Sequence, residues 1–330
     1  MSESRRIRVA VVGVGDFGRH HVRIYRELET AELVGVLDAD AARARAVADE
    51  FGTVAWPGLD SLVGRVEAAS VAVPTHAHAR VGCWLLEHGI DVLVEKPMAA
   101  SLVEADALIE AARRHQRILQ VGHLERFNPA VVAAQRIVRR PLFFEVHRLG
   151  VFTPRSLDVD VVYDVMIHDL DILLTLAGAE VAEVRAVGIP ILTDKVDIAH
   201  ARIEFTSGAV ANLTASRVST ERVRKLRFFQ EHEYISVDYT RQDVLRVRLA
   251  PAASAGSPPQ FQFEKLPTEP EEPLRAELRA FLQAVQTRCS APVDGQAGRR
   301  ALELADRVMH GILEHARRVQ PGGLTPPAPC

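Results

Sequence analysis

The chain has 330 residues, room for two domains of ordinary size, and its 48% hydrophobic and 25% charged residues are the balance of a soluble globular protein. A net charge of −3 excludes the basic surface that nucleic-acid binding needs, and no apolar run nears the roughly 20 residues that span a bilayer. The segment before the first apolar run lacks a signal-peptide core, and three cysteines without motif spacing (Cys83, Cys289, Cys330) predict reduced thiols in a cytoplasmic protein.

In chain order, apolar runs at 7–12, 33–37, 69–73, 91–94 and 118–121 predict strands, with helical patterns near 16–28, 40–50, 76–88 and 101–115 between them. Such alternation predicts a parallel sheet covered on both faces, a Rossmann domain over 1–122. From about Pro141 the pattern changes. A helix at about 161–177 precedes strands at 181–188, 197–206, 209–217, 224–231, 233–239 and 243–249, with a hairpin at Thr206-Ser207-Gly208-Ala209. The second region, 123–320, therefore reads as an α+β domain with an open, mainly antiparallel sheet. Pro251 to Pro259 reads as a surface loop, helices follow at about 272–287 and 296–318, and 321–330 reads as a disordered tail. The helix at 296–318 is a candidate to pack back on the first domain.

Gly13-Val14-Gly15-Asp16-Phe17-Gly18 follows the first strand and opens a helix. Gly13 permits the tight turn, Gly15 lets backbone approach a pyrophosphate, and Gly18 permits close helix–strand packing. The helix N-terminus there offers N–H groups to an anion. Asp38, 20 residues past Gly18 at the end of the second strand, is placed to take ribose hydroxyls and would repel a 2′-phosphate. NAD is the expected cofactor; NADP is the alternative, through Arg43 one helical turn on. Pro74-Thr75-His76-Ala77-His78 follows the third strand and is expected at the same sheet edge, with Pro74, Thr75 and His78 near the cofactor. No Cys or carboxylate cluster accompanies the two histidines, so no metal is expected.

Asp91-Val92-Leu93-Val94-Glu95-Lys96-Pro97 carries a short buried strand that Pro97 stops, pinning Glu95 and Lys96 at its carboxyl end, where open α/β sheets bind ligands. The chain has only four lysines (Lys96, Lys195, Lys225, Lys265), and lysine, unlike arginine, gives up its proton when buried. Lys96 is therefore a candidate catalytic group and Glu95 a cofactor neighbour. In Tyr163–Ala177, a spacing of 3.6 residues puts Asp164, His168, Asp171 and Thr175 on one stripe of an otherwise apolar helix. Asp164 and His168, four residues apart, read as a base and its orienting carboxylate, or alternatively as a self-satisfied core pair.

The glycine fingerprint, Glu95-Lys96-Pro97, Asp164-x-x-x-His168 and the β-rich second half together resemble the glucose-fructose oxidoreductase / inositol dehydrogenase / rhizopine-catabolism (Gfo/Idh/MocA) family over about residues 7–318. The resemblance implies an NAD-dependent dehydrogenase in which Lys96 and His168 act at the reacting hydroxyl with Asp164 beside them, and an open sheet used for homodimer or homotetramer assembly. Gly122-His123-Leu124-Glu125-Arg126-Phe127-Asn128-Pro129, Met166–Asp171, Ala215-Ser216-Arg217 and Val237-Asp238-Tyr239 are similar to its UDP-N-acetylglucosamine 3-dehydrogenase branch. That branch oxidises the sugar C3 hydroxyl to a ketone, which a partner aminotransferase then aminates. His123, Glu125, Arg126, Asn128, Asp171 and Arg217 are then the expected substrate contacts. Asn128-Pro129 is equally a helix cap, and Arg217 equally a solvated surface residue. The competing functions are a dehydrogenase of a free sugar, inositol or other polyol, a non-catalytic NAD-binding regulator, and a metal-dependent enzyme.

Overall fold

Short apolar runs bounded by turns build the first sheet. The computed structural model describes residues 5–153, 159–250 and 260–319; the 251–259 loop and the 321–330 tail lie outside them. Strands β1 (Ile7–Val12), β2 (Ala31–Leu37), β3 (Ala68–Val71), β4 (Asp91–Glu95) and β5 (Leu119–Gly122) alternate with helices α1 (Asp16–Glu27), α2 (Ala41–Phe51), α3 (His78–Glu87) and α4 (Leu102–Arg114). All strand pairs are parallel in the order β2-β1-β3-β4-β5. After β2 the chain crosses to the other side of β1, so the carboxyl ends of β1 and β3 form the topological switch where such sheets take ligands.

The interior strands β1, β3 and β4, with β5, are buried on both faces, as continuous apolar runs require, while edge strand β2 leaves Glu32 exposed. Polar starts set the helices: Asp40 caps α2 by accepting from the N–H groups of Ala42 and Arg43, and Ser101 caps α4 through Glu104 N–H. Helix α7 (Pro273–Thr287) packs on α1, and its Leu274, Leu278, Phe281, Leu282 and Val285 join the core under the sheet with Val9, Val11 and Val22. Each such buried side chain is worth about 1.5–3 kcal/mol. This compact unit comprises described residues up to 124 together with 272–302.

The second unit, described residues of 125–271 together with those from 303, holds an eight-stranded sheet. Its strands are β6 (Pro141–Leu149), β7 (Val181–Ile189), β8 (Ile198–Phe205), β9 (Val210–Ser216), β10 (Val223–Gln230), β11 (Glu233–Asp238), β12 (Asp243–Ala250) and β13 (Gln260–Lys265). Their order is β13-β12-β11-β10-β6-β9-β8-β7, antiparallel throughout except for β6 beside β9. Helices α5 (Pro129–Ile137) and α6 (Ile167–Ala177) pack on one face. Helix α8 (Gly295–Val319) is anchored in this unit by Tyr163, which donates to Asp306 at 2.8 Å, and by Arg307, which donates to the Val181 carbonyl at 3.1 Å.

The sequence reading passes over β6 and β13. Phe144, Val146 and Arg148 are the inward residues of β6, and the arginine at an inward position hides the alternation. β13 is an exposed edge strand enclosed by proline-rich segments, with no buried face to mark it.

The helix expected at 161–177 also begins differently. Val162–Met166 forms a π-helical turn, with Ile167 N–H bonded to the Val162 carbonyl, and regular α-helix starts only at Ile167. The 3.6-residue stripe thus holds for His168, Asp171 and Thr175, while Asp164 sits in the wider turn. Such turns are frequent at functional sites.

Candidate active site

The glycine turn of the first unit is shaped by what its glycines exclude. Gly13 has φ +88°, and a Cβ there would stand 2.6 Å from the backbone of Ala72 and Val73 on the neighbouring loop. A Cβ on Gly18 would stand 1.9 Å from the Gly13 carbonyl oxygen. Gly15, by contrast, faces open space, its nearest neighbour being an Arg43 nitrogen at 3.9 Å. Gly15 is also the N-cap of α1 and brings no side chain to the helix start, while Asp16 is exposed and Phe17 half-buried beside it. Backbone closed on two sides and open on the third is a cradle for a pyrophosphate.

Asp38 closes the turn. Its carboxylate accepts from Val14 N–H at 2.8 Å and from Asp40 N–H at 2.9 Å, and Arg43 Nε lies 3.5 Å away. An ionised carboxylate has about four acceptor positions, so room for a ribose hydroxyl remains. Arg43 is tied to this carboxylate and to Asp40 at 3.4 Å. These residues fit a dinucleotide.

At the next loop Pro74 is exposed and Thr75 half-buried, while His78 is buried. The two ring nitrogens of His78 lie 2.8 Å from the Pro97 carbonyl and 2.9 Å from the Val73 carbonyl. The ring thereby ties the Lys96 turn to the loop after β3, and burial pulls its pKa down. On the other side of that turn, Glu95 Oε1 accepts from His21 Nε2 at 3.0 Å and Oε2 from Lys96 N–H at 3.3 Å. Lys96 is half-buried between these two anchored neighbours. His123 is buried in the same unit, just past β5.

In the second unit, Asp164 and His168 are half-buried at the start of the helix. Asp171, one turn on, is buried; one oxygen accepts from Arg126 at 3.1 Å, and the other has no hydrogen-bond partner in the protein. A buried carboxylate oxygen without a donor is costly, and a substrate hydroxyl would supply one. Thr175 turns back to bond the Asp171 carbonyl at 3.0 Å.

Glu125 and Asn128 belong to a buried network centred on Arg148, which the sequence reading misses. Arg148 grips Asp169 bidentately at 2.7 and 2.9 Å, donates to Glu125 at 2.8 Å, and stacks its guanidinium over the Tyr239 ring at 4.8 Å. Asn128 caps α5 through Ala130 N–H at 3.1 Å and donates to Glu125 at 3.1 Å and the Tyr239 carbonyl at 3.0 Å. Burial works against the Arg148 charge, but the Asp169 and Glu125 carboxylates outweigh it and hold its pKa well above the ordinary value. Asp169 follows His168 directly, so this grip fixes the helix turn that carries His168. The available signal was an arginine at the inward phase of an alternating strand.

Arg217 is buried at the end of β9. It meets Asp197 at 3.1 Å and donates to the carbonyls of Val196, at 3.0 Å, and Val159. Asp197 in turn accepts from the N–H groups of Ile191, Leu192 and Thr193 at 2.7–2.9 Å. A diphosphate reaching Arg217 would have to displace this network. Among the described residues, no group of three or more His, Cys, Asp or Glu side chains is gathered to hold a metal, and no helix is long and apolar enough to cross a membrane.

Comparison with known proteins follows the same division. Residues 7–123 match the model of an oxidoreductase family with an NAD-binding Rossmann fold, and residues 139–235 match the GFO/IDH/MocA C-terminal domain. The chain is 40% identical over 313 residues, 94% of its length and 99% of the relative's, to UDP-N-acetylglucosamine 3-dehydrogenase of Acidithiobacillus ferrooxidans. A solved structure of that name from the same organism superposes with a TM-score of 0.87 at 39% identity, over 93% of this chain and 97% of the other. A scyllo-inositol 2-dehydrogenase (NAD(+)) of Bacillus subtilis is 31% identical over 239 residues, 64% of this chain and 68% of that one.

Proposed function

This chain belongs to the GFO/IDH/MocA oxidoreductase family, and we propose that within it the protein oxidises the C3 hydroxyl of UDP-N-acetylglucosamine to the 3-keto sugar with NAD+. One observation carries the choice of substrate: the 40% identity, spanning nearly both whole chains, to a relative named for that reaction. Bound NAD+ supplies the hydride acceptor. The Gly13–Gly18 turn takes its pyrophosphate and Asp38 its ribose hydroxyls; the carboxylate favours NAD over NADP. His168 takes the carbinol proton, Asp164 orients the ring, and Lys96 hydrogen-bonds the same oxygen, stabilising the negative charge that develops as the proton leaves. The unsatisfied oxygen of Asp171 accepts from a further sugar hydroxyl, with Arg126 holding its other oxygen; His123, buried just past β5, is a further substrate contact in this reading. Glu125, Asn128 and Arg217 act behind the substrate by holding the second unit's polar network.

The 3-keto product is the substrate an aminotransferase requires, and that class of enzyme is the expected partner. Reliance on NAD and a UDP-sugar assigns the work to the cytoplasm. The open face of the eight-stranded sheet supports homodimer or homotetramer assembly: Val210, Phe143, Phe229, Tyr234, Val247 and Phe263 lie opposite one another across six strands. Phe229 is 38% and Phe263 71% exposed, and such an apolar row marks an interaction surface.

A second reading, oxidation of inositol, draws on the inositol dehydrogenase likeness. The deciding experiment presents UDP-sugars and free polyols with NAD+, follows reduced nicotinamide, and locates the product ketone by NMR. Ready oxidation of myo-inositol with no turnover of UDP-N-acetylglucosamine overturns the first reading.

A further inference from the structure

Four polar side chains inside the first sheet form a chain of hydrogen bonds for which the reaction above has no use. His21 and Tyr25 stand four residues apart on α1 and so share a face. Ser70 lies on β3, and Glu95 ends β4. Tyr25 Oη is 2.8 Å from Ser70 Oγ, Ser70 Oγ is 3.0 Å from His21 Nδ1, and His21 Nε2 is 3.0 Å from Glu95 Oε1. Ser70 and His21 are fully buried, Tyr25 is 1% exposed and Glu95 6%. Apolar residues of similar volume would serve a sheet core at least as well, because burying such groups carries a desolvation cost that their mutual bonds only offset.

The direction of the chain follows from its end. An ionised carboxylate can only accept, so His21 Nε2 donates to Glu95. In the neutral imidazole that carries this proton on Nε2, Nδ1 accepts from Ser70, and the Ser70 oxygen accepts from Tyr25. Burial, helped by the charges of Glu277 and Glu95, pushes the Tyr25 phenol far above its ordinary pKa, so it stays a donor. In that tautomer every proton points toward Glu95, and bonds aligned in series strengthen one another. The carboxylate also lies against Gly122, where any Cβ would stand 2.6 Å from Oε1. Its second oxygen takes Lys96 N–H at 3.3 Å.

We propose that His21, backed by Ser70 and Tyr25, is a positioning residue for Lys96: it fixes the Glu95 carboxylate, which fixes the Lys96 backbone. This rests on the reading of Lys96 as the group that binds the reacting oxygen.

The test uses the full chain with His21→Gln, Ser70→Ala, Tyr25→Phe and Glu95→Gln, and the double variant His21→Gln/Glu95→Gln. Three quantities are measured: NAD affinity, kcat with UDP-N-acetylglucosamine, and the pH dependence of Lys96 acetylation. The chain has only four lysines, so mass spectrometry follows Lys96 with Lys195, Lys225 and Lys265 as internal standards. His21→Gln is expected to lower kcat about tenfold to 10²-fold, the scale of a misplaced catalytic group, with NAD affinity within about threefold. The acetylation profile of Lys96 alone should move. Tyr25→Phe, at the far end, should act in the same direction and less strongly. In the Glu95→Gln background, loss of His21 should cost nothing further in kcat, because residues acting through one another are not additive.

An equal kcat loss from His21→Gln with and without Glu95, or a Lys96 profile unmoved by all four single variants, overturns the proposal. If His21→Gln fails to fold, Ser70→Ala and Tyr25→Phe carry the same test. Lys96→Met separates the two levels. Turnover that survives it defeats the assigned role of Lys96, while the labelling profile still decides whether the buried chain sets that residue's position.

Discussion

Replacing Arg148 with methionine tests the buried network that holds the His168 helix. Methionine refills most of the volume of the arginine stem, so the loss is of charge and hydrogen bonds, not of packing. The side chains of Arg148, Asp169 and Glu125 are only 5%, 3% and 7% exposed, and the substitution strands both carboxylates. Breaking a buried pair from one side costs about 3–5 kcal/mol, and at about 2–4 °C per kcal/mol for a unit of this size, Tm should fall by about 6–20 °C. The sign of the pH dependence follows from burial. A buried carboxylate without its cation has a folded pKa above the unfolded value of about 4, so the folded variant holds more protons than the unfolded chain between those values. Stability relative to wild type should therefore recover as pH falls from about 8 to about 5 and be lowest at the alkaline end. Both tryptophans, Trp56 and Trp84, lie in the first unit, so urea unfolding is best followed by far-UV circular dichroism. A variant within about 0.5 kcal/mol of wild type, the range of ordinary surface substitutions, refutes the argument, as does a deficit independent of pH.

His168→Ala should reduce kcat by at least about 10²-fold, the usual cost of losing acid–base catalysis, with NAD affinity preserved; a smaller loss in steady-state assays removes His168 as the base. Asp38→Ala should weaken NAD by about tenfold or more, since a hydrogen bond to a charged group is worth about 1.5–3 kcal/mol, and should narrow its preference over NADP. Titration of both cofactors checks this, and unchanged selectivity sinks the ribose assignment. Phe229→Glu combined with Phe263→Glu should lower the assembly mass seen by light scattering; an unchanged mass means that the outer sheet face is not the interface.

The parallel sheet was legible because its signals are local. β1, β2, β4 and β5 are apolar runs, each stopped by glycine, proline or a charged turn, and Gly13, Gly15 and Gly18 announce the first crossover within six residues. β8 and β9 were legible because one face of each is apolar: Ala199, Ala201, Ile203 and Phe205 in the first, Ala211, Leu213 and Ala215 in the second. α7 shows the limit. Its amphipathic pattern predicts a helix, but nothing in residues 273–287 says that its apolar side meets α1, some 250 positions earlier.

The candidate functional residues divide the same way. Lys96 and His168 stand out because each interrupts an apolar run, and a titratable group in such a setting demands a reason. Arg148, Asp169 and Glu125 interrupt apolar patterns too, yet sequence alone gives no way to see that they satisfy one another, because the three sit on a strand, a helix and a short turn far apart in the chain. His21 is harder still: in Arg19-His20-His21 it reads as one of several polar residues on a surface helix, and only the helix's position over β3 and β4 turns it inward. A buried polar group is explained by its partner, and the partner is chosen by the fold. The candidate ligand contacts therefore leave local traces, while the residues that hold them in place become visible only when the strands are assembled.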